Sequence, residues 1–149
     1  MAQPDDRVDL ETSTGYLLKE TSALLRTAME TVLRPLGMNV THYACLELLA
    51  QRPGLSNSDL ARGAFVTRQS MNALLQSLEE LGQVTRPAEA PVGRVLPTEL
   101  TPAGRQALDQ ASAAVRSVER QMLDGLTEAE RVAANRLLTK MTESLRDLQ

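Results

Sequence analysis

Along most of this 149-residue chain the apolar residues recur every three or four positions, which is the spacing of one face of an α-helix. The segments Leu17–Leu33, Met71–Leu81 and Leu108–Met122 show this pattern. Aromatic residues make up only 2% of the chain, so aliphatic side chains must form the core. The sequence therefore predicts a mainly α-helical protein.

Helix caps and breakers divide the periodic pattern into six predicted helices. A hydroxyl group before an apolar run can accept a hydrogen bond from a free N–H of the first turn, whereas Pro or Gly ends a run. The predicted caps are Thr41, Ser56, Thr67, Thr101 and Thr127, and the predicted breakers are Pro35, Gly37, Pro53, Gly63, Gly82 and Gly125. Asp59 and Glu130 each follow a cap by three residues, which is the pattern of a capping box.

Two short runs of strand character follow the fourth predicted helix. They are Val84–Arg86 and Val95–Leu100, and residues 87–93 between them are rich in Pro, Ala and Gly. Such a pattern predicts a β-hairpin with an extended tip, and Pro97 favours an edge position for its second strand.

A short helix, a turn, a longer helix and a hairpin form the order of a winged helix-turn-helix. The longer helix of such a pair enters the major groove of DNA with its N-terminal residues. Arg side chains can read guanine there, Gln and Asn can read adenine, and hydroxyl groups can hold phosphate oxygens. The predicted contact residues are Thr67, Arg68, Gln69, Ser70 and Asn72. The alternative is a solvated polar helix start without a partner.

The first helix and the last two carry more apolar surface than a small winged domain can cover. An intertwined homodimer would bury it and would set two recognition helices about 34–36 Å apart. We therefore expect a dimerisation domain from residues 1–37 and 103–149, around a winged helix-turn-helix DNA-binding domain at residues 38–102. The alternative is a helical hairpin that packs on its own chain.

The charge distribution fits a nucleic-acid partner better than the net charge does. The net charge is −3, but Arg52–Arg105 holds six arginines against five acidic residues, so the excess acidity lies in the flanking segments. The sequence has no run of about 18 apolar residues and no secretory signal pattern. These features predict a cytoplasmic protein that does not enter a membrane.

The residue types that catalysis needs are scarce. His42 is the single histidine, Cys45 is the single cysteine, and no Gly-rich loop follows a strand. The sequence therefore predicts a protein that is not an enzyme and has no metal site and no cofactor. Cys45 lies on the apolar side of its helix, where a thiol usually packs as a small hydrophobic group; redox sensing is the alternative.

Three stretches give the chain a resemblance to a known family. They are Leu55–Arg62, Ser70–Gly82 with the following Val84–Arg86, and Leu100–Gly104. With these stretches the chain resembles the MarR (multiple antibiotic resistance regulator) family from Gly15 to Leu148. The resemblance implies a homodimer on a pseudopalindromic operator, usually a repressor that small phenolic or other aromatic anions release.

The resemblance also implies roles for residues outside the recognition helix. Arg94 matches the wing-tip arginine that enters the minor groove, although the family usually has an acidic residue where this chain has Val92. Arg86 matches a position that meets an aromatic carboxylate, with a DNA phosphate contact or an ion pair as alternatives. His42 and Tyr43 are candidates for the effector pocket, with a capping or core role as the alternative.

The sequence thus predicts a sequence-specific regulator of transcription that binds double-stranded DNA as a homodimer. The alternative function is a helical dimer that binds small molecules or another protein without specific DNA binding. Salt-dependent binding to duplex DNA distinguishes the two.

Overall fold

A computed structural model describes residues 7–86 and 98–149 of the chain. Over these residues the elements are α1 (Thr14–Leu33), a 3₁₀ turn (Arg34–Leu36), α2 (Val40–Gln51), α3 (Asn57–Ala64), α4 (Arg68–Glu80), β1 (Val84–Thr85), β2 (Glu99–Leu100), α5 (Pro102–Leu123) and α6 (Glu128–Arg146). The prediction of a mainly helical chain is confirmed. The predicted hairpin tip and the start of its second strand, with Arg94, lie outside the described residues.

The chain divides into two compact units, of which the first reaches Val115. Its core forms where α1 ends and where α2, α3 and α4 pack together. The largest side chains with no exposure at all in this core are Leu33, Cys45, Leu46, Leu60, Met71, Leu75 and Leu78. Val84 of β1 and Leu108 of α5 join the same cluster, so the helix-turn-helix and the base of the hairpin share one core.

The second unit, Arg116–Gln149, consists of the last turns of α5 and the whole of α6. Both halves of the predicted capping box are present at the start of α6: Thr127 Oγ1 accepts from the backbone N–H of Glu130, and the Glu130 carboxylate accepts from the backbone N–H of Thr127. This second bond holds the pKa of Glu130 below its usual value. The capping-box pattern in the sequence therefore predicted this helix start correctly.

Large apolar side chains of α1 and α6 remain exposed to solvent. None of the residues of α6 is buried. The exposed set comprises Tyr16, Leu17, Leu18 and Leu24 of α1 and Val132, Leu137, Leu138 and Leu145 of α6. No helix in the described ranges has the length and apolar content that crossing a membrane requires.

One of the predicted helix boundaries differs in detail. Asn39, not Thr41, caps α2, because its side chain accepts the backbone N–H of His42 at 2.8 Å and the helix begins one residue later. α3 ends at Ala64, one residue after Gly63 and close to the predicted break. Gly63 also allows close packing, since a Cβ there would lie 3.0 Å from Leu48 Cδ1.

The turn from α4 into β1 is tied to the start of α5. Gln83 offers its carbonyl oxygen to the backbone N–H of Thr101 at 3.0 Å, and Thr101 Oγ1 donates to the carbonyl of Gly82 at 2.6 Å. Thr101 Oγ1 also caps α5 by accepting the backbone N–H of Gly104. At Gly104 the two segments approach so closely that a Cβ would lie 2.0 Å from the Gln83 oxygen.

Gly104→Ala tests this close approach. Alanine would favour the helix by about 1 kcal/mol over glycine, but the clash with a backbone oxygen must separate the two segments. We expect the free energy of unfolding in a denaturant titration to fall by about 2–3 kcal/mol. Gly125→Ala is the control, since a Cβ there meets nothing within 4 Å. Equal stability of the two variants would contradict the described contact.

Candidate nucleic-acid interface

The helix-turn-helix is formed by α3, α4 and the tight turn between them. Phe65 ends α3 in the left-handed conformation, with φ of 59°, and the backbone N–H of Val66 returns to the carbonyl of Ala61. Thr67 then caps α4 as predicted: its Oγ1 accepts the backbone N–H of Ser70 at 3.0 Å. The turn thus directs the chain from one helix into the next without a glycine at the left-handed position.

The packing of α4 determines which of its residues face outward. Met71, Leu75 and Leu78 are fully buried in the core of the first unit. The five predicted contact residues lie at the opposite, exposed side of the first two turns: Thr67, Arg68, Gln69, Ser70 and Asn72 are all exposed. The structure therefore brings together one cation, two carboxamides and two hydroxyl groups at the N-terminus of a helix.

The hydroxyl groups of Thr67 and Ser70 are hydrogen-bonded to each other. Thr67 Oγ1 donates to Ser70 Oγ at 2.9 Å while it caps the helix. The Thr67 hydroxyl hydrogen is therefore used within the protein, whereas the hydroxyl hydrogen of Ser70 remains available to an acceptor. Of the two, Ser70 is the better phosphate donor.

Asn72 has a partner that sequence reasoning missed. Asn57 Nδ2 donates to Asn72 Oδ1 at 2.7 Å, which joins the first residue of α3 to the second turn of α4. The two residues are 15 positions apart, and neither a motif nor a periodicity links them in the sequence.

The start of α3 carries a small charged cluster. Asp59 accepts a hydrogen bond from the Ser56 hydroxyl group at 2.9 Å and forms an ion pair with Arg62. The hydrogen bond from Ser56, followed by Arg62, lowers the pKa of the Asp59 carboxyl group. At this predicted capping box Ser56 caps the helix by accepting the Asp59 N–H, and the Asp59 carboxylate accepts the Ser56 hydroxyl group in return.

The base of the predicted wing consists of β1 and β2. They pair antiparallel, with Val84 opposite Leu100 and Thr85 opposite Glu99. Arg86 follows β1 directly and is partly exposed. Within the described ranges it forms no ion pair, so its role in DNA or effector binding stays a prediction.

His42 and Tyr43 lie in different surroundings although they are adjacent. His42 is buried, and its Nε2 lies 2.8 Å from Gln83 Oε1, so that α2 is bonded to the turn after α4. Tyr43 is half-buried and lines an open groove with Glu47, Leu48 and Gly63. Their assignment to an effector pocket stays a prediction, and His42 has a structural partner in Gln83.

Cys45 is fully buried, and its Sγ lies 3.7 Å from Met71 Sδ in the core. Burial raises the pKa of its thiol to about 12, because a thiolate there would lose its hydration. These surroundings support the interpretation of Cys45 as a core residue. Over the described part of the chain no three His, Cys, Asp or Glu side chains form a group that could hold a metal ion.

A capped, solvent-facing helix that follows a short helix and leads into a hairpin defines the class of winged helix-turn-helix DNA-binding regulators. Comparisons with known proteins agree. A sequence profile of the MarR family matches residues 36–94. The HTH-type transcriptional repressor Rv2887 of Mycobacterium tuberculosis is 42% identical over 127 residues, which cover 85% of this chain and 91% of that protein. The chain therefore belongs to the MarR family of transcription regulators.

Two crystal structures of the Mycobacterium tuberculosis protein Rv2887 are similar to this chain. The complex of that protein with salicylic acid has a TM-score of 0.74 and 40% identity, and the match covers 92% of this chain and 98% of that one. Its complex with DNA has a TM-score of 0.73 and 39% identity, with 87% and 98% covered. The predicted family and fold class are thus confirmed.

The burial of Cys45 predicts a thiol that does not react in the folded protein. In Ellman's reagent at pH 8 we expect modification at least ~10³-fold slower than in guanidinium, because the reagent must wait for the core to open. Cys45 is the single cysteine, so the signal has one source. Rapid reaction of the folded protein would instead favour redox sensing.

The same burial predicts a loss of stability at alkaline pH. The unfolded chain loses the thiol proton above the ordinary pKa of 9.0, whereas the folded chain keeps it to about 12. The free energy of unfolding should therefore fall as the pH rises through this window, and Cys45→Ala should reduce the slope.

Proposed function

We propose that this chain is a repressor that binds a pseudopalindromic operator as a homodimer and leaves it when a small aromatic acid binds. The observation that carries the proposal is the first two turns of α4, where a buried apolar side holds five exposed polar residues beside a capped helix N-terminus. In this proposal the protein acts by binding rather than by catalysis. It acts in the cytoplasm, where its DNA is.

In this proposal α4 enters the major groove. Arg68 is the first residue of the helix and reads guanine, while Gln69 and Asn72 offer carboxamides to base edges. Ser70 and the free N–H groups of the helix N-terminus bind phosphate oxygens, and Thr67 organises the helix start. Arg86 and Arg94 extend the contact from the wing, Arg86 to phosphate or effector and Arg94 to the minor groove.

The exposed apolar residues of α1 and α6 support the proposed dimer. Eight large apolar side chains of these two helices lie in solvent in the single chain. A monomeric soluble protein rarely exposes so much apolar surface, whereas a second copy can cover it. We place the dimerisation domain at residues 1–37 and 103–149 and the DNA-binding domain at residues 38–102.

The proposed effector is an aromatic carboxylate. The relative Rv2887 binds salicylic acid, and we extend that ligand class to this chain. Tyr43, His42 and Arg86 are the candidate contacts. Because His42 is buried and bonded to Gln83, Tyr43 and Arg86 are the more accessible of the three.

The proposed DNA binding is tested with fluorescence anisotropy. The duplexes are an operator selected from a random library and a scrambled duplex of the same composition, each at two salt concentrations. We expect a Kd of about 10⁻⁸ M or tighter for the operator, a clear preference over the scrambled duplex, and a steep salt dependence. Weak, equal binding to both would favour the helical dimer without specific DNA binding.

Arg68→Ala should remove operator selectivity. Loss of a bidentate guanine contact costs about 1–3 kcal/mol per half-site, so the operator and scrambled duplexes should approach equal affinity. Arg7→Ala removes the same charge from an exposed position before α1 and should preserve the preference. Full discrimination by Arg68→Ala would show that Arg68 does not read a base.

Salicylate should weaken operator binding by the wild-type protein. The expected result is an increase in the operator Kd that reaches a plateau as the salicylate concentration rises. The plateau is expected because the effector can raise Kd only by the ratio of its affinities for the DNA-free and the DNA-bound protein. Acetate, a carboxylate without an aromatic ring, at the same ionic strength is the control for a salt effect. An unchanged Kd at saturating salicylate would remove this ligand class from the proposal without affecting the DNA-binding part.

A further inference from the structure

The carboxamide of Asn72 is held by a residue of the neighbouring helix. Asn57 Nδ2 donates to Asn72 Oδ1 at 2.7 Å. Asn57 is the half-buried first residue of α3, and Asn72 is exposed on α4. No other hydrogen bond of the Asn72 side chain exists among residues 7–86 and 98–149, so its two amide hydrogens remain available.

The direction of this hydrogen bond matters, because the two ends of a carboxamide differ in chemistry. The oxygen only accepts and the nitrogen only donates, and rotation by about 180° exchanges them. In the structure the Asn57 nitrogen is the donor of this bond. The partial positive charge at the N-terminus of α3 favours this orientation over the reverse one, because it attracts a carboxamide oxygen rather than an amino group. The Asn72 oxygen therefore faces α3, and its donors are left for another partner.

We propose that Asn57 is a positioning residue that makes Asn72 a hydrogen-bond donor toward the operator. The inference rests on the proposed DNA-binding function and specifies the chemistry of one contact in it. In the major groove guanine presents two adjacent acceptors, O6 and N7, whereas adenine presents an acceptor beside a donor. Asn72 thus selects guanine, not the adenine that an unconstrained asparagine would read in a bidentate contact.

Removal of the positioning residue should change sequence preference and not only affinity. The operator selected by the wild-type protein is varied to all four bases at each position of the half-site, and Kd is measured for each. Asn57→Ala should lose about tenfold of the preference for guanine at one position. Asn72→Ala should lose the same preference, and the double variant should lose no more than either single one.

Both variants are expected to fold. Ser56 continues to cap α3 without Asn57, and alanine at exposed position 72 has a higher helix propensity than asparagine. Their free energies of unfolding, measured beside the binding data, separate an effect on the DNA contact from a loss of structure.

Asn57→Asp is the sharper variant, since it keeps the shape and removes the donor. An aspartate accepts from Asn72, so the Asn72 carboxamide should turn and present its oxygen to the DNA. We expect the preference at that position to shift from guanine to a base with an amino group, adenine or cytosine. Ser58→Asp places the same charge one residue later in the first turn of α3 and should retain the guanine preference.

Three results would overturn the inference. Additive effects of Asn57→Ala and Asn72→Ala would show that the residues act independently. A uniform loss of affinity on all sequences would make Asn57 a phosphate contact. An unchanged base profile in Asn57→Ala would show that Asn72 needs no positioning. Failure of the proposed function itself is distinguishable, because the wild-type protein would then show no preference for its selected operator, and the inference would fall with it.

Discussion

The burial of the apolar side of α4 is the interaction on which the candidate interface depends. Met71, Leu75 and Leu78 have no exposed surface, and burying a side chain of this size contributes about 1.5–3 kcal/mol each. With this side fixed in the core, rotation of the helix about its axis is excluded. The packing of the apolar side therefore also orients the exposed residues Arg68, Gln69 and Asn72, which need no contacts of their own to face outward.

A second constraint acts where α4 ends. Gln83 is bonded through its carbonyl oxygen to Thr101 and through its side chain to His42, and Gly104 packs against the same carbonyl. One residue therefore connects α2, the exit of α4, β1 and the start of α5. The core orients α4 along its length, and this junction sets where the strands at the base of the wing begin.

The sequence predicted the helices well because local chemistry decides them. Thr67, Thr101 and Thr127 cap their helices as expected, since a cap depends on residues three positions away at most. The cap of α2 is the difference. Asn39 and Thr41 both carry capping side chains, and periodicity alone does not choose between positions two residues apart.

In the candidate site, too, some residues could be predicted from local pattern and others could not. The five exposed residues at the start of α4 were predictable, because the apolar period of the helix locates its outer side. Asn57 and Gln83 were not, because their partners are 15 and 41 positions distant and are brought near only by the fold. The exposed positions of a helix can thus be predicted from pattern, whereas contacts between distant residues are seen only in the fold.

The second unit shows the opposite balance of burial from the first. All the residues of α6 retain some exposure, and its large apolar side chains Val132, Leu137, Leu138 and Leu145 are between 43% and 61% exposed. The capping box stabilises the start of this 19-residue helix, but capping contributes only about 1 kcal/mol, and most of the stability of a helix in a protein comes from packing of its apolar side. Tertiary burial normally supplies the remainder, and within its own unit α6 lacks it. The proposed second copy supplies this burial, so the stability of α6 and the spacing of the two recognition helices would be determined by one interface.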